Sequence, residues 1–184
     1  MIESIGEEAF NFQDERFADI QMLRYRLPDF ESLTIRQKQL IYCLSEAILF
    51  GRDITFDQFG KYNLRIRKTL EAVYLNFNGD RLEHNFRALE EYLKHVWFAS
   101  GIYHHYACDK FSPLFTEDFF RNEVLAIDSK LLPLNDGESA TSLLNELCPV
   151  IFDPTILPKR VDKSDGKDIV RSSACNYYDG VSQH

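Results

Sequence analysis

Apolar side chains recur every three to four residues through most of this 184-residue sequence, which is the spacing of one face of an α-helix. Five segments have this pattern, and residues that favour helix starts or stops border several of them. The predicted helices cover about 34–50, 62–77, 82–100, 116–127 and 142–147. The sequence therefore predicts a mostly α fold with a minor β component.

Threonines mark two of the helix starts. Thr34 and Gln37 form a T-x-x-Q capping box, and Thr116 precedes the fourth helix. Gly51 has the position of a C-terminal stop, so the first helix is expected to end there. The polar and aromatic stretch "RDITFDQFGKYN" that follows is then expected to be a loop.

Other parts of the chain favour extended structure. Residues 18–30 alternate loosely and predict an extended segment that ends at Pro28, while "PVIF" (149–152) and "DIV" (168–170) predict short strands. The organisation predicted is an N-terminal tail over 1–16, a helical region over 17–148, and an irregular or short-strand segment over 149–184. This last segment is expected to be truncated.

The charge balance limits the classes of partner. Lys and Arg number 21 and Asp and Glu 29, which gives a net charge of −8. A nucleic-acid partner is not expected, since phosphate binding needs a basic surface. No apolar run approaches the roughly 20 residues of a membrane span, and the acidic N-terminus has no signal-peptide pattern. We expect a cytoplasmic protein with no membrane partner.

The cysteines and histidines do not have the spacing of a metal site. The four cysteines are dispersed and form no CxxC pair, so free thiols in a reducing compartment are expected. The five histidines form neither HExxH nor HxxxH. The sequence also lacks a G-x-S-x-G elbow and a glycine-rich phosphate loop. We assign no catalytic residue, no metal ligand and no cofactor to this chain.

The stretch "GIYHHYACDKF" (101–111) has the densest set of polar aromatic side chains. In a strand, the adjacent His104 and His105 would point to opposite faces. Aromatic and imidazole groups that follow a helix end are common in binding surfaces, but they also satisfy buried backbone groups in structural loops. The residues alone favour neither interpretation. The simplest interpretation of Trp97 is a core residue, and that of Leu64, Arg65, Ile66, Arg67 and Lys68 is the solvated side of a helix.

Four collinear stretches are similar to a known family. They are "FADIQMLRYRLPDFESL", "QKQLIYCLSEAILFGRDITFDQFGKYNLRIRKTLEAVY", "YLKHVWFASGIYHHYACDKFSP" and "SSACNYYDGV". Together they resemble the N-terminal part of dipeptidyl peptidase III, particularly the enzymes of Bacteroides-type bacteria. The resemblance implies a zinc exopeptidase that releases dipeptides from peptide N-termini. It also implies two lobes around a wide cleft, with this chain as the N-terminal helical part of one lobe.

The motifs that hold zinc in that family are missing here. The family uses an HExxGH helix and a later EExxD-like helix, whereas this sequence contains no "HE" dipeptide. The resemblance therefore implies a chain that is inactive by itself. It also implies that Tyr103, His104, His105 and Tyr106 line a peptide-binding cleft, with Phe111 anchoring the loop from below. The implied partners are a peptide substrate and the missing C-terminal part of the enzyme.

Two other hypotheses remain open from the sequence. One is a stand-alone helical module that binds peptides or proteins without catalysis. The other is a peptide-binding decoy that keeps the wall of the cleft without the metal. A neighbouring reading frame that encodes HExxGH would favour the peptidase hypothesis.

Overall fold

The computed structural model describes residues 10–178 and 180–184. These residues form two strands, six α-helices and two short 3-10 helices. The strands are β1 (Gln13–Phe17) and β2 (Ile20–Leu23), and the 3-10 helices are Pro28–Ser32 and Ser129–Leu131. The α-helices are α1 (Ile35–Phe59), α2 (Asn63–Asn76), α3 (His84–Ala99), α4 (Glu117–Ala126), α5 (Ala140–Phe152) and α6 (Ile169–Ser172). The predicted mostly α fold with a minor β component is confirmed.

The chain divides into two compact units, one up to Ile48 and the other from Leu49 onward. In the first unit, β1 and β2 form an antiparallel hairpin in which Phe17 pairs with Ile20. Strand β1 therefore lies mostly within the predicted tail, and the extended segment gives way to a 3-10 helix at Pro28. None of the described residues of the first unit is buried.

The capping box at the start of α1 is confirmed. The Thr34 backbone N–H donates to Gln37 Oε1 at 2.9 Å, and the Gln37 N–H donates back to Thr34 Oγ1 at 3.4 Å. The predicted stop at Gly51 is wrong, because the helix continues to Phe59. In this extension Phe56 is buried, so core packing favours helix where the local sequence favours a loop.

The second unit has one core, formed by α2, α3, α4 and α5. Helix α2 packs against α3 and α4, and α4 packs against α5. The bounds predicted for the second, third and fourth helices agree with α2, α3 and α4 to within about two residues at each end. The largest fully buried side chains are Phe86, Phe120, Ile66, Leu70, Leu89, Leu93, Ile102, Leu143, Leu144, Leu147, Ile151 and Val73.

The two short strands predicted near the C-terminus are helical instead. The stretch "PVIF" is the last turn of α5, where Val150 and Ile151 are buried. Proline lacks the backbone N–H of a helix interior, and Pro149 is nevertheless accommodated near the end of α5. The stretch "DIV" starts α6, because Asp168 Oδ1 accepts the backbone N–H groups of Val170 and Arg171.

Two further interpretations of α2 and α3 need correction. Trp97 is 42% exposed rather than a core residue, and its indole N–H donates to Glu71 at 2.8 Å. Arg65 and Arg67 are not on a solvated face, since their side chains are only 20% and 11% exposed. Arg65 pairs with glutamates of the α5 region, and Arg67 pairs with Asp53 of α1.

No helix among the described residues has both the length and the apolar content needed to cross a bilayer.

Candidate functional site

The backbone at the end of α3 fixes the direction in which the loop over residues 101–111 leaves that helix. Ser100 ends α3 in the left-handed conformation, and Gly101 follows with φ of +153°. The next backbone N–H, that of Ile102, donates to Oδ1 of the buried Asn63 at 3.3 Å. The start of α2 thus holds the start of the loop, so the loop has a rigid support.

The loop closes on itself as a short irregular hairpin. Tyr103 and Lys110 form an antiparallel bridge, and the His104 N–H donates to the Asp109 carbonyl at 2.7 Å. Cys108 adopts a left-handed φ of +64°, which allows the chain to turn back. The Phe111 N–H then donates to the Ile102 carbonyl at 2.8 Å.

His104 organises the tip of this hairpin. Its Nδ1 accepts the backbone N–H groups of Tyr106 at 3.2 Å and Ala107 at 3.0 Å. An imidazole nitrogen that accepts hydrogen bonds is unprotonated, so the proton of the neutral ring lies on Nε2. His104 therefore stabilises the turn with one nitrogen and keeps one N–H donor on the other.

Four rings form a continuous surface beside the end of α3, here named the ring cluster: Phe98, His104, His105 and Tyr106. The two imidazoles stack with ring centroids 4.5 Å apart, so they do not point to opposite faces as a strand would require. The ring of His105 also contacts Tyr106 at 4.2 Å and the edge of Phe98 at 4.9 Å. Tyr106 is 85% exposed and Phe98 is 42% exposed.

Tyr103 is not part of that surface. Its side chain is only 3% exposed, and its hydroxyl donates to the Leu157 carbonyl at 3.0 Å. Burial raises the pKa of the phenol, which keeps it a neutral hydrogen-bond donor. Tyr103 therefore does not lie on the surface that the resemblance implies for residues 103–106, because the hairpin turns its side chain toward the core, against the segment that contains Leu157. Phe111 is half-buried and packs against the core, as an anchor for the loop would.

The described residues do not fit the zinc ion of the resembled family. Nowhere in 10–178 or 180–184 do three or more His, Cys, Asp or Glu side chains come together as a set of metal ligands. His104 already uses Nδ1 to accept two backbone N–H groups. The chemistry that the ring cluster offers is stacking and hydrogen bonding.

Two of the four thiols are held in the protonated, unreactive form by burial. All four cysteines are free. Burial raises the pKa of Cys148 to about 11, and burial also raises the pKa of Cys175. Both side chains therefore remain protonated near neutral pH, and a protonated thiol is a weak nucleophile because the thiolate is the reactive form. Cys108 contacts the guanidinium of Arg160, with Nη2 lying 3.7 Å from Sγ.

Sequence reasoning missed the two segments that pack beside the loop. The Lys110 N–H donates to the Pro158 carbonyl at 3.0 Å, and the Arg160 N–H donates to the Cys108 carbonyl at 2.8 Å. The N–H of Ala174 in turn donates to the carbonyl of Lys159 at 3.1 Å. These pairings join residues about 15 to 50 positions apart, and no local pattern signals them.

Comparison of the chain with protein-family models found no match, and a search of curated proteins found none either.

Proposed function

We propose that this chain is the N-terminal region of a zinc-dependent dipeptidyl peptidase, forms the helical part of one lobe of that two-lobed enzyme, and is inactive alone. The four collinear stretches that resemble dipeptidyl peptidase III support this proposal, and they extend from about Phe17 to Val181. The HExxGH motif is absent from the 184 residues. Zinc and the general base would therefore come from a second part of the enzyme. We also propose a cytoplasmic location, in keeping with the four free thiols.

The ring cluster is the observation on which the proposed role of this chain rests. An extended peptide has one N–H and one C=O per residue that need partners, and it also presents side chains that gain from apolar contact. The exposed ring of Tyr106 offers both an apolar face and a hydroxyl. Nε2 of His104 offers a further hydrogen-bonding group, because Nδ1 of that ring is the nitrogen that accepts the two backbone N–H groups. We propose that His104, His105 and Tyr106 contact the peptide while Tyr103 supports them from the core.

Helix α1 supports the need for a second polypeptide. Every residue from 39 to 48, all in the first unit, is exposed, and several of these residues are large and apolar. They are Leu40, Ile41, Tyr42, Leu44 and Ile48. Exposed apolar surface on this scale is typical of an interaction site.

The proposal is tested by supplying the missing part. The chain is co-expressed with the polypeptide encoded by a neighbouring HExxGH reading frame, and both are purified through a tag on the chain. We expect a stable complex that releases dipeptides from a fluorogenic dipeptidyl arylamide and loses this activity with a chelator. The chain alone should show no release with one equivalent of zinc. Chelator-sensitive release by the chain alone would contradict the proposal.

The role of the ring cluster is tested in the same complex. His105→Ala and Tyr106→Ala should each weaken peptide binding by about 1 kcal/mol per lost hydrogen bond, with zinc content unchanged. His84→Ala is the matched control, because His84 is exposed and lies at the other end of α3. The helix of 16 residues from His84 to Ala99 spans about 22 Å at 1.5 Å per step. Loss of zinc in the His105 variant, or equal weakening by the control, would contradict the role.

A stand-alone interaction module is the second candidate, and the apolar residues of α1 favour it equally. The two functions differ in the surface that binds the ligand, which is α1 in the interaction module and the ring cluster in the peptidase. A module that docks through α1 would keep its partner in the His105→Ala variant and lose it in Ile48→Glu. In the peptidase, His105→Ala would weaken binding of the peptide without dissociating the two polypeptides.

A further inference from the structure

A cationic hollow lies beside the tip of the loop, between residues 106–108 and residues 159–164. Its volume is about 530 Å³, which is within the range of small-ligand sites. The lining residues are Tyr106, Ala107, Cys108, Lys159, Arg160, Val161, Lys163 and Ser164. Among the residues that the structure describes, three cations and no carboxylate line this hollow. In a chain of net charge −8, this is a local reversal of charge.

The nearest carboxylates leave most of that positive charge uncompensated. Asp109 Oδ1 lies 3.8 Å from Lys159 Nζ, a long contact between two well-exposed side chains. Asp162 is buried and accepts hydrogen bonds from the Ser164 N–H and hydroxyl, and it also pairs with Lys167 at 3.2 Å. Asp165 does not line the hollow. Lys163 forms no ion pair within the described part of the chain.

The backbone around the hollow is fixed by its hydrogen bonds. The Arg160 N–H donates to the Cys108 carbonyl, and the Cys175 N–H donates to the Arg160 carbonyl at 3.1 Å. The guanidinium of Arg160 lies over the ring of Phe59, 4.5 Å from its centroid, and contacts Cys108 Sγ. A stacked guanidinium loses little further freedom when it binds an anion, so the Arg160 part of the site is preorganised.

We propose that this hollow binds the oxyanion group, carboxylate or phosphate, of a small organic ligand. Arg160 supplies a planar set of N–H donors, and Lys159 and Lys163 supply two further point charges in the lining. The volume exceeds that of a bare inorganic ion, so the rest of the ligand has room. Tyr106 also lines the hollow, and the exposed part of its ring offers a surface for an apolar part of the ligand. This site does not depend on peptidase activity or on zinc.

The test is a titration of the isotopically labelled full chain with inorganic phosphate and, separately, with succinate. Chloride keeps the ionic strength constant, and amide shifts are followed by NMR. We expect saturable shifts in residues 106–108 and 159–164. Lys159→Gln and Lys163→Gln should each weaken binding about two- to fivefold, the range for one partly solvated charge pair. Lys130→Gln is the matched control, since Lys130 is an exposed lysine on another surface segment.

The outcomes distinguish a phosphate ligand from a carboxylate ligand, and they also decide whether the hollow binds an oxyanion at all. Saturation with phosphate alone assigns a phosphate ester, and saturation with succinate alone assigns a carboxylate. The absence of saturable shifts with both ligands would overturn the proposal, as would equal weakening by Lys130→Gln. The melting temperatures of the lysine variants should match that of the parent, which separates loss of binding from loss of fold. Failure of the peptidase proposal would leave these results unchanged.

Discussion

Gly101 and Asn63 form a close contact that should tolerate no side chain at position 101. A Cβ atom on Gly101 would lie 2.2 Å from Asn63 Nδ2, inside a buried site. Gly101→Ala should lower the free energy of unfolding by about 1–3 kcal/mol, the usual cost of overpacking, as measured by urea denaturation. Asn63→Ala removes the amide that a Cβ atom would meet, so Gly101→Ala should lower the free energy of unfolding by less in the Asn63→Ala variant than in the parent. Additive effects of the two substitutions would contradict the contact.

Asp162 should make the chain sensitive to acid. Hydrogen bonds from the Ser164 hydroxyl and N–H, helped by Lys167, lower the pKa of Asp162 from its usual 3.8 to about 2. A lowered pKa means that the folded state binds this proton less readily than the unfolded state. The stabilisation from Asp162 is therefore complete above pH 3.8 and is lost as the pH falls toward 2.

The measurement is the pH dependence of urea unfolding between pH 5 and pH 2. Asp162→Asn should be less stable than the parent at pH 5 and should lose less stability on acidification. Asp165→Asn is the control, because that carboxylate is exposed and lies three residues further along the chain. Equal pH slopes for the parent and the Asp162 variant would show that the hydrogen bonds do not stabilise the carboxylate.

Lys110 stabilises the C-terminal end of α5, an element that starts thirty residues later in the chain. Its Nζ donates to the carbonyls of Val150 at 2.9 Å and Ile156 at 2.7 Å, and also to that of Asp153. Helix ends leave carbonyls without intrahelical partners, and a lysine ammonium satisfies them. Lys110→Met should lower the free energy of unfolding by about 2 kcal/mol. Faster amide exchange should be confined to the last turn of α5 and residues 153–158, and Lys130→Met should show neither effect.

Gly51 provides a direct test of where α1 ends. The structure has Gly51 inside the helix with open space around its missing Cβ atom. Gly51→Ala should therefore raise the free energy of unfolding by about 0.5–1 kcal/mol, because alanine restricts the unfolded chain and favours helix. A helix that stopped at Gly51 in the left-handed conformation would instead be destabilised by alanine. A higher melting temperature for Gly51→Ala indicates a helix that continues through residue 51, and a lower one indicates a helix that ends there.

At the scale of the whole molecule, exposed apolar residues of α1 should dominate the solution behaviour of the chain. Ile48 is 70% exposed, so Ile48→Glu should change the free energy of unfolding by no more than about 0.5 kcal/mol. The same substitution should reduce binding of a hydrophobic dye and any self-association seen by sedimentation. Ile151→Glu, at a buried position, is the contrasting variant and should unfold the chain. A large loss of stability in Ile48→Glu would show that this side chain is buried in solution.

Local sequence determined the elements whose signals lie within one or two helical turns. The capping box at Thr34 and the N-cap at Thr116 needed only neighbouring residues, because a side chain that accepts a nearby N–H acts at short range. The apolar stripes determined α2, α3 and α4 for the same reason, since residues three or four positions apart share one helix face.

Tertiary structure decided what depends on distant partners. Helix α1 continues past Gly51 with Phe56 in the core, and α5 continues through Pro149 with a lysine from another segment at its end. Tyr103 is turned toward the core, where its hydroxyl donates to the Leu157 carbonyl, and Arg160 of the hollow meets the loop through a backbone hydrogen bond to Cys108, about 50 residues away. Such contacts depend on the path of the whole chain, whereas a sequence pattern reports only the preferences of neighbouring residues.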